Sequence, residues 1–278
     1  MQIGIIGAGK VGCSLGRYFV SKGQTVTGYY DRHPEDAAEA ANQTRSEYFE
    51  DLTDLILASD TLFIATPDDA IKTVWDDIAR FDIRDYVVGH FSGSLSSDVF
   101  TNIKDKRAHA CSLHPIFAFS GKNIPLEQLN EIWFTVEGDE VAVSKMQEFA
   151  ERLGNPIVEI RSDKKALYHS AASMVSNHVL GVLQTGFDIM EDCGFTPVEA
   201  YNAFAPLIIN NVEHAMKQDC IEALTGPIER NDVGTVRKHI DALSGMRLDI
   251  YLAIGKELVD MASRKHPERD YTEMAMLF

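Results

Sequence analysis

The chain has 278 residues, of which 45% are hydrophobic and 24% are charged, and its formal net charge is −16. A globular chain of this size buries a sufficient core without disulfides or a structural metal, and no apolar run reaches the ~18 residues that a membrane-spanning helix needs. Because the 42 acidic residues outnumber the 26 basic ones and would be repelled by a phosphate backbone, we expect no nucleic-acid partner, and the lack of a long apolar run predicts no membrane partner.

Residues 1–161 alternate short apolar segments with helical patterns. Gly23 ends the first helical pattern at the position that favours glycine. This alternation predicts an α/β domain of the Rossmann type, with a doubly wound parallel sheet, over residues 1–161. The predicted strands are residues 2–6, 25–30, 47–49, 61–65, 86–89, 108–113, 133–136 and 157–160, and the predicted helices are residues 10–22, 34–41, 52–58, 71–78 and 141–153.

Strand patterns stop after Ser162, and long helical periods follow. We therefore predict a second, all-α domain over residues 162–278, which would bind substrate or form a dimer. Thr196, Pro197 and Glu199 form a helix start with an N-cap, a first-position proline and a capping-box glutamate. The predicted helices are residues 164–193, a helix from 197 that ends before 225–227, residues 232–243 and residues 246–265.

The turn after the first strand has the G-x-G-x-x-G pattern of a dinucleotide-binding loop, and it opens a helix. In this pattern Gly7 permits the tight turn, Gly9 lets a pyrophosphate approach the backbone, and Gly12 lets the helix pack closely on the strand. The N-terminus of the helix adds unpaired N–H groups and a positive dipole end, which suit a phosphate. The predicted cofactor contacts in this loop are Gly7, Ala8, Gly9, Lys10, Val11 and Gly12.

The end of the second strand leaves the choice between NAD and NADP open. Asp31 stands where an acidic residue binds the ribose 2′-hydroxyl of NAD, whereas Arg32 stands where a cation meets the 2′-phosphate of NADP. Together, Arg32 and His33 can offset the repulsion between a phosphate and Asp31. This arrangement favours NADP slightly.

Polar residues follow three of the predicted strands. The fourth strand ends at Thr66, Pro67 and Asp68, the fifth at the segment 90–93, and the sixth at His114. Open α/β sheets bind ligands at the carboxyl edge of their parallel strands. We therefore predict that Thr66, Pro67 and Asp68 contact the cofactor. The substrate would face Ser92 and His114.

The predicted helix over residues 164–193 carries His169, Ser173 and Asn177 at a spacing of four, which places them on one face. Because this helix is apolar on most of its circumference, we expect it to be buried. Its polar stripe must then find partners either in a neighbouring helix or in a ligand. If the partner is a ligand, His169 is the first candidate for proton transfer and His114 the second, and Asn177 could hold a substrate oxygen.

Arg230 follows a helix break at residues 225–227. It either binds a substrate carboxylate or pairs with an acid of the chain, while Asp232 caps the next helix. Cys13 stands at the start of the first helix, where a thiol is either activated by the helix N-terminus or simply packed, and we favour packing. The four cysteines form no C-x-x-C pair, so we predict no metal site and a reducing, cytoplasmic location.

The whole series of motifs resembles one family. In order, they are the loop 7–12, Thr66-Pro67-Asp68, His90-x-Ser92-Gly93, Ser112-Leu113-His114-Pro115, Tyr168-His169-x-Ala171-Ala172 with Asn177, Leu224-Thr225-Gly226-Pro227-x-x-Arg230-x-Asp232, and His239. The chain resembles, over nearly its whole length, NAD(P)-dependent oxidoreductases with a Rossmann-like domain and a helical domain of unknown function. Its wider relatives look like ketopantoate reductase, pyrroline-5-carboxylate reductase, the 3-hydroxyisobutyrate dehydrogenases and deazaflavin-dependent NADP oxidoreductases.

The resemblance implies a homodimer built through the helical domain. In the hydroxyacid branch a helix lysine acts together with an asparagine four residues later. Asn177 matches this asparagine, but Ser173 stands in the place of the lysine, so the lysine mechanism does not carry over.

We therefore predict a dehydrogenase or reductase that transfers hydride between NADP or NAD and a small carbonyl or imine. The missing lysine favours one alternative, a non-catalytic dinucleotide sensor or scaffold. A deazaflavin-linked NADP reductase is the other alternative.

Overall fold

An eight-stranded sheet is the framework of the N-terminal part of the computed structural model, which describes residues 1–278. The strands are β1 (Gln2–Ile6), β2 (Thr25–Tyr30), β3 (Glu47–Tyr48), β4 (Thr61–Ile64), β5 (Val87–His90), β6 (His109–Pro115), β7 (Phe134–Gly138) and β8 (Ile157–Glu159). Their order across the sheet is β3-β2-β1-β4-β5-β6-β7-β8. The chain winds from β1 first to one side and then to the other, which confirms the predicted Rossmann-type α/β fold and places the topological switch between β1 and β4.

One strand pair departs from the predicted parallel arrangement. β7 runs antiparallel to β6, with Cys111 opposite Gly138 and Pro115 opposite Phe134, whereas the other pairs are parallel. A parallel return needs a crossover, usually a helix that spans the sheet. The connection between β6 and β7 holds only a four-residue helix, α5 (Leu126–Leu129), and it stays at the same edge of the sheet.

Helices cover both faces of the sheet. Successive strand residues point to opposite faces, so Ile5 belongs to one hydrophobic core and Ile6 to the other. Phe19 and Phe149 pack in the first core and Trp75 in the second. The other helices of this part are α1 (Lys10–Ser21), α2 (Pro34–Thr44), α3 (Leu52–Leu57), α4 (Asp68–Ile78) and α6 (Glu140–Leu153).

A π-helical turn interrupts the helix predicted over residues 164–193. The segments are α7 (Lys165–Ser173), the π-turn (Met174–His178) and α8 (Val179–Asp192). A π-turn has an i→i+5 hydrogen-bond pattern. His169 and Ser173 lie on α7 at the predicted spacing of four, and Asn177 lies within the π-turn, so a common face for all three residues stays a prediction.

The remaining chain is entirely helical, as predicted. Thr196 and Glu199 form the expected capping box, and Asp232 caps a helix by accepting a hydrogen bond from the Thr235 amide. The helices are α9 (Pro197–Lys217), α10 (Cys220–Ala223), α11 (Val233–Ala242), α12 (Gly245–Lys265) and α13 (Thr272–Ala275). The short helix α13 has no counterpart among the predicted elements.

The prediction that the helix over residues 164–193 is buried is wrong for the single chain. Val175 is 77% exposed and Leu180 is 65% exposed. The apolar surface continues on α9, where Leu207 is 55% exposed and Met216 is 75% exposed. These side chains are exposed, although their apolar composition is typical of a buried surface.

The chain divides into two compact units, residues Met1–Ser176 and Asn177–Phe278. The sheet and α7 belong to the first unit, and α8–α13 belong to the second. The boundary near residue 161, where the strand pattern ends, stays a prediction. None of the helices is both long enough and apolar enough to cross a membrane.

Candidate active site

The three glycines of the loop between β1 and α1 have three different structural environments. Gly7 has a φ of 106°, which favours glycine, and a Cβ there would lie 2.8 Å from the carbonyl carbon of Ala65. A Cβ at Gly12 would overlap the carbonyl oxygen of Gly7. A Cβ at Gly9, by contrast, would meet no atom within 4 Å. The loop is therefore tightly packed at its ends and open at Gly9, where a pyrophosphate needs to approach.

The first turn of α1 carries no acidic residue of its own, whereas the first turns of α2, α3 and α4 do. The N-cap residue of α1, Gly9, offers no side chain. The Thr66 amide lies beside this loop, since a Cβ added at Gly7 would be only 3.0 Å from its nitrogen. The hydroxyl of Thr66 is buried and has no hydrogen-bond partner in the protein. These groups fit the phosphates of a dinucleotide.

Asp31, at the end of β2, forms a hydrogen bond with the glycine loop. One carboxylate oxygen accepts a 2.7 Å hydrogen bond from the Ala8 amide, and the other accepts a 2.9 Å bond from the His33 amide. Arg32 is exposed and carries the neighbouring positive charge. The carboxylate is thus engaged with the backbone, and Arg32 is the side chain at this corner that suits a 2′-phosphate.

Cys13 fits the packed alternative. Its side chain is buried, and Sγ donates a hydrogen bond to the Ala8 carbonyl oxygen at 3.0 Å. Burial raises the pKa of the Cys13 thiol to about 11. The thiol therefore stays protonated at neutral pH and acts as a small apolar residue.

His90 fixes the loop that follows β5. The fully buried imidazole accepts a 3.2 Å hydrogen bond from the Ser92 amide at Nδ1, and its Nε2 lies 3.3 Å from the Ser96 carbonyl oxygen. These two partners require the neutral tautomer with the proton on Nε2. Burial lowers the pKa of His90 to about 4, so the imidazole keeps this state at neutral pH.

Asp68 lies next to this loop, because β4 and β5 are neighbours in the sheet. Ser92 Oγ donates to the Asp68 carboxylate at 2.8 Å, and Ser94 Oγ donates to the same oxygen at 2.7 Å. The Leu95 amide in turn donates to Ser92 Oγ at 3.0 Å. Ser92 is therefore held between Asp68 and the loop backbone, and its hydroxyl has a fixed direction.

Lys165 is a buried lysine beneath this loop that sequence reasoning missed. It is 2% exposed, and its Nζ donates to the Ser92 carbonyl oxygen at 2.9 Å and to Ser112 Oγ at 2.6 Å. Burial lowers its pKa to about 8, while the negative charge of Glu137 opposes that shift. At neutral pH the ammonium is still charged, so a buried positive charge lies under the end of β5.

Three residues of α7 face the site, because positions 165, 168 and 169 share one side of a helix. Tyr168 OH lies 2.6 Å from Nδ1 of His114. The rings of His114 and His169 are 6.0 Å apart and nearly perpendicular. A Cβ at Gly93 would lie 2.5 Å from Nδ1 of His169 and 2.7 Å from Nε2 of His114. Two imidazole nitrogens therefore converge on Gly93.

The other predicted catalytic residues are Ser173, Asn177 and Arg230. Ser173 ends α7 and is half-buried in the first unit, one turn beyond His169. Asn177 and Arg230 belong to the second unit, where both are exposed. Their roles in the site stay predictions.

The missed residues carried a usable but weak signal. Lys165 precedes His169 by four residues and Tyr168 by three, which is the spacing of a shared helix face. The predicted polar stripe runs from His169 towards the C-terminus, whereas Lys165 and Tyr168 lie on its N-terminal side. A lysine at a helix start is usually solvated, and only the structure shows that this one is buried.

Two family models match the chain. Residues 2–88 match NADP oxidoreductase, coenzyme F420-dependent, and residues 132–258 match a domain of unknown function, DUF2520. No curated protein sequence matches the chain significantly. The first description confirms the predicted NAD(P) dependence and favours NADP as the cofactor. It also disfavours the alternative of a non-catalytic sensor or scaffold.

Solved structures share the fold over almost the full chain. Protein TM1727 from Thermotoga maritima is 27% identical, has a TM-score of 0.76, and the alignment covers 95% of this chain and 99% of that one. A pyrroline carboxylate reductase from Plasmodium falciparum, with NADP bound, has 14% identity, a TM-score of 0.56 and 96% coverage of both chains. An imine reductase from Pseudomonas sp. has 15% identity, a TM-score of 0.58, and coverage of 99% and 90%.

The last two likenesses concern the fold alone, because their sequence identities are low. The family models carry the assignment of class, and the loop geometry at Gly7, Gly9 and Gly12 agrees with it. Residues 2–88 are thus similar to coenzyme F420-dependent NADP oxidoreductases and residues 132–258 to the DUF2520 domain, and the chain is an NAD(P)-dependent oxidoreductase.

Proposed function

We propose that the chain transfers hydride between NADP and a small carbonyl or imine substrate at the carboxyl edge of β4, β5 and β6. The observation that carries this proposal is the convergence of His169 Nδ1 and His114 Nε2 on the space beside Gly93. A bound nicotinamide supplies the hydride in the direction of reduction. The chain supplies the proton, the orientation of the substrate and the grip on the cofactor.

His169 is the proposed proton donor, and it becomes the acceptor in the reverse reaction. It is exposed, so a substrate can reach it, and an imidazole can act as a general acid or base. Ser92 orients the substrate through a hydroxyl that Asp68 already fixes. Asn177 as a second orienting residue, and Arg230 as the ligand of an anionic end, rest on the sequence pattern alone.

The cofactor would lie along the glycine loop with its diphosphate at the N-terminus of α1. The contacts proposed there are the backbone of Gly7–Gly12 and the side chain of Thr66, with Pro67 and Asp68 lining the path towards the nicotinamide. Arg32 would bind the 2′-phosphate, because the Asp31 carboxylate is engaged with backbone amides. Because Asp31 binds backbone amides and Arg32 is available for a phosphate, the end of β2 supports NADP over NAD.

The Arg32→Ala variant tests the cofactor preference. We expect its Kd for NADPH to rise about 30-fold, which corresponds to ~2 kcal/mol for a lost charge-assisted contact. NADH has no 2′-phosphate, so its Kd should not change. Both values can be measured by calorimetry, with Arg84→Ala, an exposed arginine just before β5, as the matched control. Equal loss of NADPH and NADH affinity, or loss of neither, would contradict the assignment of Arg32.

A turnover assay tests the reaction itself. NADPH oxidation is followed at its absorbance band across a panel of small keto acids, aldehydes and cyclic imines, and we expect saturable turnover with at least one of them. The family description names coenzyme F420, which favours a second candidate, hydride exchange between NADP and a deazaflavin. An oxidised deazaflavin is therefore included as an acceptor. Turnover with the deazaflavin alone would replace the carbonyl and imine proposal.

The exposed apolar surface of α8 and α9 supports a homodimer formed through the helical unit. The proposed cytoplasmic location rests on the cysteine pattern alone. Leu180 and Leu207 lie on this surface and are 65% and 55% exposed. We expect light scattering to give twice the chain mass of 30.9 kDa, and Leu207→Arg to give the monomer mass. Leu57→Arg, at an exposed leucine of α3, should stay dimeric. A monomeric wild-type protein would contradict the proposal.

A further inference from the structure

We infer that His114 acts as a neutral hydrogen-bond donor to the acceptor atom of the substrate, with Tyr168 and Lys165 as positioning residues that fix its tautomer and its charge. The substrate in this statement rests on the proposed function. The state of the imidazole is a property of the chain alone and can be measured without any substrate.

Tyr168 sets the tautomer. Its hydroxyl lies 2.6 Å from Nδ1 of His114, which is a short hydrogen bond. Burial raises the pKa of Tyr168, so the phenol keeps its proton. Between a neutral phenol and a neutral imidazole, the phenol O–H is the better donor and the bare ring nitrogen the better acceptor. Nδ1 of His114 therefore accepts from Tyr168, and the proton of the ring is on Nε2.

The geometry directs this Nε2–H group towards the proposed substrate position. A Cβ at Gly93 would lie 2.7 Å from Nε2 of His114, so only the absence of a side chain at residue 93 leaves the nitrogen accessible from that side. Nδ1 of His169 lies beside the same position. A substrate oxygen or nitrogen placed there can accept from His114 and receive a proton from His169.

Lys165 sets the charge. Its ammonium is buried and anchored on the Ser92 carbonyl and on Ser112 Oγ, so it cannot move away from the site. A fixed positive charge disfavours a second one on a nearby imidazole. Burial, first, and Lys165, second, lower the pKa of His114 to about 4. The charged or titratable groups around His114 are Lys165, Tyr168 and His169 from α7, Asp68 from α4 and His90 from β5.

The remaining groups do not reverse this balance. Asp68 raises the pKa of His114, but its carboxylate accepts hydrogen bonds from Ser92 and Ser94. His90 is itself neutral at pH 7. Lys165 loses its own proton only near pH 8, and above that pH an imidazole is neutral without help. His114 is thus neutral at every pH above about 5.

This state separates the roles of the two histidines. As hydride adds to the substrate carbon, negative charge develops on the carbonyl oxygen or imine nitrogen, and the Nε2–H bond of His114 stabilises it. The proton that neutralises this atom comes from His169, which is left as neutral imidazole. His114 keeps its proton throughout. A neutral donor is suited to this task because it does not give up its proton.

Nitrogen-15 NMR of histidine-labelled protein tests the inference directly. The His114 signals are identified by their loss in His114→Gln. Between pH 6 and 8 we expect a pyrrole-type shift for Nε2 and a pyridine-type shift for Nδ1, with no titration. A protonated Nδ1, or an imidazolium in this range, would overturn the inference whether or not the protein shows reductase activity.

Two variants separate the tautomer from the charge. In Tyr168→Phe we expect a mixture of the two His114 tautomers. Because Nε2 of His114 then presents a lone pair instead of a proton to the substrate part of the time, kcat should fall at least about tenfold. The KM for NADPH should not change. In Lys165→Met the His114 midpoint should move up from about 4 but stay below 6.5, because burial remains, so that the fall of kcat on acidification begins at a higher pH than in the wild type. Lys164→Met, at the exposed neighbouring lysine, is the control.

Each variant can also contradict the inference. Unchanged 15N shifts in Tyr168→Phe would remove Tyr168 from its role, and an unchanged His114 midpoint in a folded Lys165→Met protein would remove Lys165. If Lys165→Met does not fold, the wild-type tautomer and the Tyr168→Phe spectrum still decide the matter. Should the NMR results hold while no substrate is turned over, the proposed function fails and the assigned state of His114 stands.

Discussion

Replacement of His169 by alanine is expected to lower kcat by a factor of about 10²–10⁴, the usual contribution of a positioned acid or base. The side chain is exposed on α7, and its Nδ1 lies beside Gly93 together with Nε2 of His114. Removal leaves no other exposed proton donor at that position, since His114 is held neutral. The Kd for NADPH should be unchanged, because the cofactor contacts belong to the loop between β1 and α1.

Steady-state kinetics and calorimetry on the same preparation check this expectation. His109→Gln is the matched control, because His109 begins β6 at the opposite edge of the sheet, where it pairs with Asp139. Its kcat should equal that of the wild type. Full turnover by His169→Ala, with NADPH bound as in the wild type, would remove His169 from the mechanism. A parallel loss of NADPH affinity would mean that the residue has a structural role.

The second large effect is expected from Gly9→Val. The φ of Gly9 is −78°, which any residue adopts, and a Cβ there meets no atom of the protein within 4 Å. We therefore expect the free energy of unfolding to change by less than about 1 kcal/mol. NADPH affinity should fall at least about 100-fold, or ~3 kcal/mol, because the new side chain occupies the space through which the pyrophosphate approaches.

Two further glycine variants bracket this result. A Cβ at Gly12 would overlap the Gly7 carbonyl oxygen, so Gly12→Val should lower both stability and NADPH affinity. Gly234→Val, in the first turn of α11, meets only an ordinary contact at 3.7 Å and should change neither. Urea unfolding and calorimetry measure the two quantities. Tight NADPH binding by a folded Gly9→Val protein would place the diphosphate elsewhere.

The parts that the sequence predicted well depend on local chemistry. The glycine loop is one example, because each glycine answers a constraint within its own turn: φ at Gly7, access at Gly9 and close packing at Gly12. The capping box at Thr196 and Glu199 is another, since both partners lie within four residues. The parallel strands also follow from local alternation with helices.

The parts that the sequence did not predict depend on distant contacts. Lys165 is buried and donates hydrogen bonds to Ser92 and Ser112, which lie 73 and 53 residues earlier in the chain. No local sequence pattern reveals such a pairing. The reversed direction of β7 follows from a connection that stays at one edge of the sheet, which strand composition does not show. The apolar side of α8 is exposed, whereas the sequence predicts that it is buried. An apolar pattern indicates that a helix surface is buried in the functional state, but it does not identify the partner that buries it.

The central claim is that the glycine loop binds a nicotinamide dinucleotide, and calorimetric titration of the wild-type protein with NADPH tests it most directly. We predict saturable binding with one site per chain, together with a rise in Tm that grows with NADPH concentration, since a ligand of the folded state stabilises it by about 2.7 kcal/mol at 100 times its Kd. Absence of both binding heat and thermal stabilisation, with NADPH and with NADH, would contradict the account.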